Sequence, residues 1–155
     1  MRDTGTLVGG FFAVSGNGQK MIVNGHRRGS DPITNQSWNE VVLSEWDADS
    51  GAKIDKLVRR KESVSQTVLA ASGDGQYVVT NDFDAVLKTK NIHLWDMTRD
   101  ALVSAFDMRK ASYVNAALSA DGKTLGIAFM EESKPGSHTV QIIDVPSGKV
   151  RTKGT

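Results

Sequence analysis

The chain has 155 residues, 19 Lys and Arg against 18 Asp and Glu, three His and no Cys. The length fits one domain of ordinary size, and a formal net charge of +1 gives no reason to expect a polybasic nucleic-acid binder or an acidic tail. The absence of cysteine excludes a disulfide scaffold, a cysteine zinc site and a cysteine nucleophile, and 39% hydrophobic residues with 15 glycines argue against a disordered chain.

The first element is a short apolar run at 7–14, broken by Gly9 and Gly10. It is too short and too interrupted for a signal peptide, and no stretch approaches the roughly 20 apolar residues that span a bilayer. The reading is a soluble, cytoplasmic chain with no membrane contact.

Three hairpin motifs then recur. Residues 11–23 read FFAVSGNGQKMIV, 68–80 read VLAASGDGQYVVT and 116–128 read AALSADGKTLGIA. Ser15, Ser72 and Ser119 hold one place in them, and Gly18, Gly75 and Gly122 another. Asn-Gly and Asp-Gly are hairpin signals because these residues tolerate the positive φ of tight turns. The flanking runs are short and rich in Val, Leu, Ala and Phe, as strands are. A second motif follows each hairpin: VLSEWDADSG at 42–51, NIHLWDMTRD at 91–100 and TVQIIDVPSG at 139–148. Asp47, Asp96 and Asp144 are equivalent, preceded by Trp46, Trp95 and Ile143. A weaker strand comes next, at 52–57, 101–106 and 149–155.

A period of about 48 residues with four strands per unit is the signature of a propeller blade. The two Trp-Asp pairs and the SGDG and SADG turns resemble the WD40-repeat family and its looser YVTN-type relatives. The resemblance implies an all-β chain: a partial β-propeller of about three four-stranded antiparallel blades, with units at roughly 7–57, 58–106 and 107–155. Known propellers use roughly four to eight blades, so the ring is expected to be open unless the chain dimerises or belongs to a longer one. By the family pattern, the strand after each Trp-Asp motif is the innermost strand of the next blade. The first blade then lacks that strand, and 149–155 is a spare one that could complete a second copy in a six-blade homodimer. The family's Gly-His pair is missing from its usual place. Gly25-His26 follows a hairpin instead, and Ile143 replaces the third Trp. The family's buried Asp–His–Ser/Thr–Trp network is therefore expected to be absent, with apolar packing between blades in its stead.

Candidate chemistry is sparse. His93 reads as a strand residue, and His26 and His138 fall in loops with no spacing that supplies three or four metal ligands. Asp74 and Asp121 sit in hairpin turns, while Asp47, Asp96 and Asp144 sit at strand ends where Asp accepts turn amides. Gly16 to Gly18 lie between strands, so no helix N-terminus awaits a phosphate. No catalytic, cofactor-binding or metal-binding residue is expected.

Partner binding is expected in the loops at one blade end. They carry Arg27, Arg28, Arg59, Arg60, Lys61, Lys88, Lys90, Arg109, Lys110 and Lys134 against Asp31, Glu62, Asp82, Asp84, Asp107, Glu131 and Glu132, a surplus of +3. The other end carries a surplus of −2. The segment 25–39 reads as a long individual loop holding Arg27, Arg28 and Trp38, and such loops often carry function; Trp38 is expected to start the strand that follows and pack on the sheet, the alternative being an exposed recognition aromatic. The expected function is a non-catalytic protein-binding or scaffold module, without nucleic acid, inside a larger propeller or a homodimeric ring. The alternative is a fragment of a propeller enzyme, lactonase-like or quinoprotein-dehydrogenase-like, whose active site needs further blades.

Overall fold

The computed structural model describes residues 12–30, 37–61, 64–84, 88–145 and 147–154. They form twelve strands: β1 (Phe12–Val14), β2 (Lys20–Ser30), β3 (Ser37–Asp47), β4 (Lys53–Lys61), β5 (Val64–Ala71), β6 (Tyr77–Asp84), β7 (Thr89–Asp96), β8 (Ala101–Asp107), β9 (Ala111–Leu118), β10 (Thr124–Glu131), β11 (His138–Asp144) and β12 (Lys149–Gly154). Among the described residues no helix is long and apolar enough to cross a membrane.

The strands make three antiparallel sheets, β1-β2-β3-β4, β5-β6-β7-β8 and β9-β10-β11-β12, here called blades 1, 2 and 3. Each is a meander of consecutive strands. This corrects the strand order expected from the family pattern. The strand after each Trp-Asp motif pairs with the motif strand itself, as β3 with β4, β7 with β8 and β11 with β12. Blade 1 therefore has its own four strands, and β12 is the outer strand of blade 3 rather than a spare. The first strands of the blades pack together, β1 against β5 and β5 against β9, which sets them at the inner side.

Alternation along the strands gives every blade two faces. Ile22 and Leu43 of blade 1 pack with Val68, Val78, Trp95 and Met97 of blade 2. Val79, Ile92 and Leu94 of blade 2 pack with Leu125, Ile127, Phe129 and Ile143 of blade 3. Adjacent residues Val78 and Val79 thus enter opposite seams. The core is two seams between blades, and blade 2 contributes to both.

In the segment 25–39, expected as a long loop, residues 25–30 and 37–39 are strand, and 31–36 lie outside the described residues. β2 and β3 pair without a break from Lys20↔Asp47 to Ser30↔Ser37. Arg27 and Arg28 lie on β2, and Trp38 lies on β3. His26 and His138 lie on β2 and β11 rather than in loops.

Candidate functional site

The three hairpin turns share one hydrogen-bond pattern. The Ser hydroxyl donates to the acidic or amide oxygen two residues on: Ser15 to Asn17 at 2.6 Å, Ser72 to Asp74 at 2.7 Å and Ser119 to Asp121 at 2.6 Å. The same hydroxyl accepts the N–H of Lys20, Tyr77 or Thr124 at 2.9 Å. Gly18, Gly75 and Gly122 take positive φ of 66–72°, the left-handed region a side chain disfavours. The turns also join the blades: Asn17 N–H donates to Gly73 O and Gly73 N–H to Ala120 O, both at 2.9 Å. A Cβ on Gly73 would lie 2.3 Å from Ala120 O, so the close approach requires glycine there.

The recurring acids serve the turns. Asp47 accepts the hydroxyl and N–H of Ser50 at 2.6 and 2.7 Å, and these bonds hold its carboxyl below the ordinary value. The Ser72 and Ser119 hydroxyls do the same for Asp74 and Asp121. For Asp144, the Arg151 guanidinium and then the Ser147 hydroxyl do so. Burial pushes Asp96 upward, but the hydroxyl and N–H of Thr98, the N–H of Arg99 and the Gln76 amide together outweigh it.

Blade 2 holds a buried polar network that the sequence reading expected to be missing. Trp95 Nε1–H donates to Thr80 Oγ1 at 3.0 Å. Thr80 donates to Asp82 Oδ1 at 2.7 Å. Gln66 Nε2 donates to both Asp82 oxygens at 3.2 Å, and His93 Nδ1 lies 2.8 Å from Asp82 Oδ2. An acceptor carboxylate places the shared proton on Nδ1. Asp82 is 2% exposed and His93 5%. The residue types of the expected network are present with a different origin for the histidine: His93 stands two residues before Trp95 on the same strand. The signal was in the spacing, because TND at 80–82 and HLW at 93–95 each put two polar-capable residues on one strand face. Asp82 leaves the charge tally of the loop end, since it lies inside the blade.

In blade 1 the equivalent Trp46 donates instead to Ser44 Oγ at 3.1 Å, and blade 3 has Ile143 there. Consecutive strands run in opposite directions, so the connections β2–β3, β4–β5, β6–β7, β8–β9 and β10–β11 share one end of the blades. Arg59, Arg60 and Lys61 lie on β4 and reach that end through their strand. Arg109 and Lys110 lie in the β8–β9 connection. There the Arg109 guanidinium forks onto Asp107, with Nε and Nη2 at 2.9 and 2.6 Å from Oδ2, and holds that carboxyl below its ordinary value. Asp107, Arg109 and Lys110 line a shallow open recess. Among the described residues no group of three or more His, Asp or Glu is placed to hold a metal ion.

The fold is similar to the β-propeller domain of the Trilobed protease from Pyrococcus furiosus, with a TM-score of 0.58 and 16% identity over 99% of this chain and 44% of that one. The fold is a partial β-propeller. It is also similar to a chain from two prolyl endopeptidases, at TM-score 0.54 and 20% identity over 96% of this chain and 20% of that one. The chain spans less than half the length of either. No family model matches the sequence, and no curated protein matches it.

Proposed function

We propose that the chain is a non-catalytic protein-binding module of the WD40-like kind, a section of a propeller that offers the loop end of its blades to an acidic protein partner. The observation that supports this is the use made of its acids. Asp47, Asp74, Asp96, Asp121 and Asp144 each take up turn donors, and Asp82 is engaged by Gln66, Thr80 and His93 inside blade 2. A repeated acid tied to its own turn does a repeat's work, whereas acid–base catalysis requires a carboxyl that reaches a substrate proton. The binding end is the one carrying Arg109 and Lys110 and the basic strand ends of β2 and β4. A basic patch of this kind steers an acidic partner in a salt-dependent manner.

Titration with fluorescent polyglutamate at low and high salt tests the reading. Binding should weaken as salt rises and should fall several-fold when Arg109→Ala and Lys110→Ala are combined. Salt-insensitive binding, or binding untouched by the double substitution, overturns the charged-end reading. Stoichiometric calcium or zinc in the purified protein overturns the non-catalytic one.

A further inference from the structure

The two seams show what a blade face needs, and the two outer blade faces fit each other by the same rule. Seven residues after the turn serine, Ile22 and Val79 face the next blade. Against them come residues of that blade's inner strand: Val68 with Ile22, and Ala116 with Val79. Val68 and Ala116 are equivalent by register, pairing with Thr80 and Ile127. The matching positions on the outer faces are Phe12, which pairs with Val23, and Gly126. Ala13 packs into the seam with blade 2, so alternation turns Phe12 and Val14 outward, where they are 64% and 49% exposed. On blade 3, Asn115, Ala117, Gly126, Ala128 and Val140 line a shallow, mostly apolar trough. Phe12 with Gly126 presents as many side-chain carbons as Val68 with Ile22 and more than Ala116 with Val79, so the outer pair matches the bulkier of the two seams, with a large residue meeting a small one.

The turns repeat the pattern. Gly75 and Gly122 are buried beneath Lys20 and Tyr77 of the preceding blade. Gly18 is exposed, with no described residue within 4 Å of the place its Cβ would occupy.

We infer that the trough of blade 3 receives Phe12 and Val14 of a second copy of this chain. The second copy does the same in return, and Thr124 of each lies over Gly18 of the other. Two identical junctions are what a two-fold dimer supplies, and six blades fall within the roughly four to eight that close a propeller. The junction is blade face to blade face and needs no exchanged strand. It goes beyond the binding reading and stands without it.

Light scattering on the intact chain tests this. The expected mass is twice 16.7 kDa. Phe12→Ala should weaken dimerisation about tenfold or more, as removal of a central aromatic anchor does. Gly126→Phe fills the trough and should give the single-chain mass. A Cβ on Gly126 lies 3.9 Å from its nearest neighbours, so the variant should retain its β circular dichroism. The double variant Phe12→Gly, Gly126→Phe, with large and small exchanged, should recover the dimer. A single-chain mass for the parent overturns the inference and assigns the faces to blades outside this chain. A parent dimer that both single variants leave intact also overturns it, because another surface would then hold the copies together.

Discussion

The two seams occupy the same place in the repeat and are built from opposite chemistry. In the seam between blades 1 and 2, blade 2 contributes Thr80, Asp82, His93 and Trp95. In the next seam, the equivalent positions of blade 3 are Ile127, Phe129, Gln141 and Ile143. A second contrast lies nearer the hairpin turns. Blade 1 sends Lys20 and the buried Glu45, paired at 2.9 Å, into the first seam, where blade 2 sends Tyr77 and Leu94 into the second. The backbone is common to both, so the propeller does not demand the polar network. The named donors to Asp82 all come from blade 2 itself, from Gln66, Thr80 and His93. A buried carboxylate is tolerable only when its donors are in place, so blade 2 accepts few alternatives at these positions. The apolar seam is held by volume and tolerates swaps that conserve it.

The sharpest way to break the comparison is to remove the acid. Asp82→Ala leaves the Thr80 hydroxyl and His93 Nδ1 without their acceptor in the network, and leaves the Gln66 amide with the Thr80 oxygen at 3.3 Å. A buried donor left without its acceptor costs about 1–3 kcal/mol, and a urea titration should show the loss as a lower midpoint. A loss below about 1 kcal/mol, the scale of one ordinary hydrogen bond, would mean that the network contributes no more than apolar contact does.

Converting one seam into the other sharpens it further. Lys20→Tyr with Glu45→Leu writes the blade 2 pair into blade 1. Replacing a fully buried ion pair by apolar residues of similar volume is often neutral or stabilising by about 1–4 kcal/mol; Lys20 is only half-buried, so the exchange should fall towards the neutral end. Glu45→Leu alone should fall short of the double variant, because it leaves Lys20 without its partner at the seam. If the single and double variants unfold at the same midpoint, Lys20→Tyr adds nothing to the apolar seam and an unpaired Lys20 costs nothing there. In the apolar seam the effect is smaller: Ile143→Val removes one buried methyl group and should cost about 1 kcal/mol.

The sequence carried the strands and the turns because their determinants are local. Ser72, Asp74 and Gly75 specify a hairpin by their own hydrogen bonds and by a positive φ, and the period of the motifs counts the blades. The pairing of β3 with β4 departs from the family pattern, since which neighbour an outer strand joins depends on packing that a strand's own residues do not encode. The network of Asp82 and His93 is hidden in the sequence for a related reason. Its four side chains come from two strands, and Gln66 from a third, so the cluster exists only once the register Thr80↔His93 is known. Arg27 and Arg28 read as loop residues because Gly25, Gly29 and Pro32 interrupt the pattern, yet β2 and β3 pair through the first two of these positions, while Trp38 stands at the start of β3 as its sequence suggests.

The smallest expected effect concerns Asp96, which sits at the start of a turn in the blade that serves both seams. Its Oδ1 accepts the Thr98 hydroxyl and N–H at 2.6 and 2.9 Å and the Arg99 N–H at 3.2 Å. Burial opposes its ionised form, but these donors together hold the folded value below the ordinary 3.8. A depressed acid contributes stability that is fully present above the unfolded value and is lost as pH falls through the folded one. Stability should therefore be level in this respect near neutrality and decline below about pH 3.8. Asp96→Asn retains the side-chain carbonyl for the turn and cannot titrate, so its stability curve should be flatter on the acid side and converge on the parent's at the lowest pH. Parallel acid limbs for the two proteins would show that the ionised form of Asp96 is stabilised no better in the folded turn than in the unfolded chain.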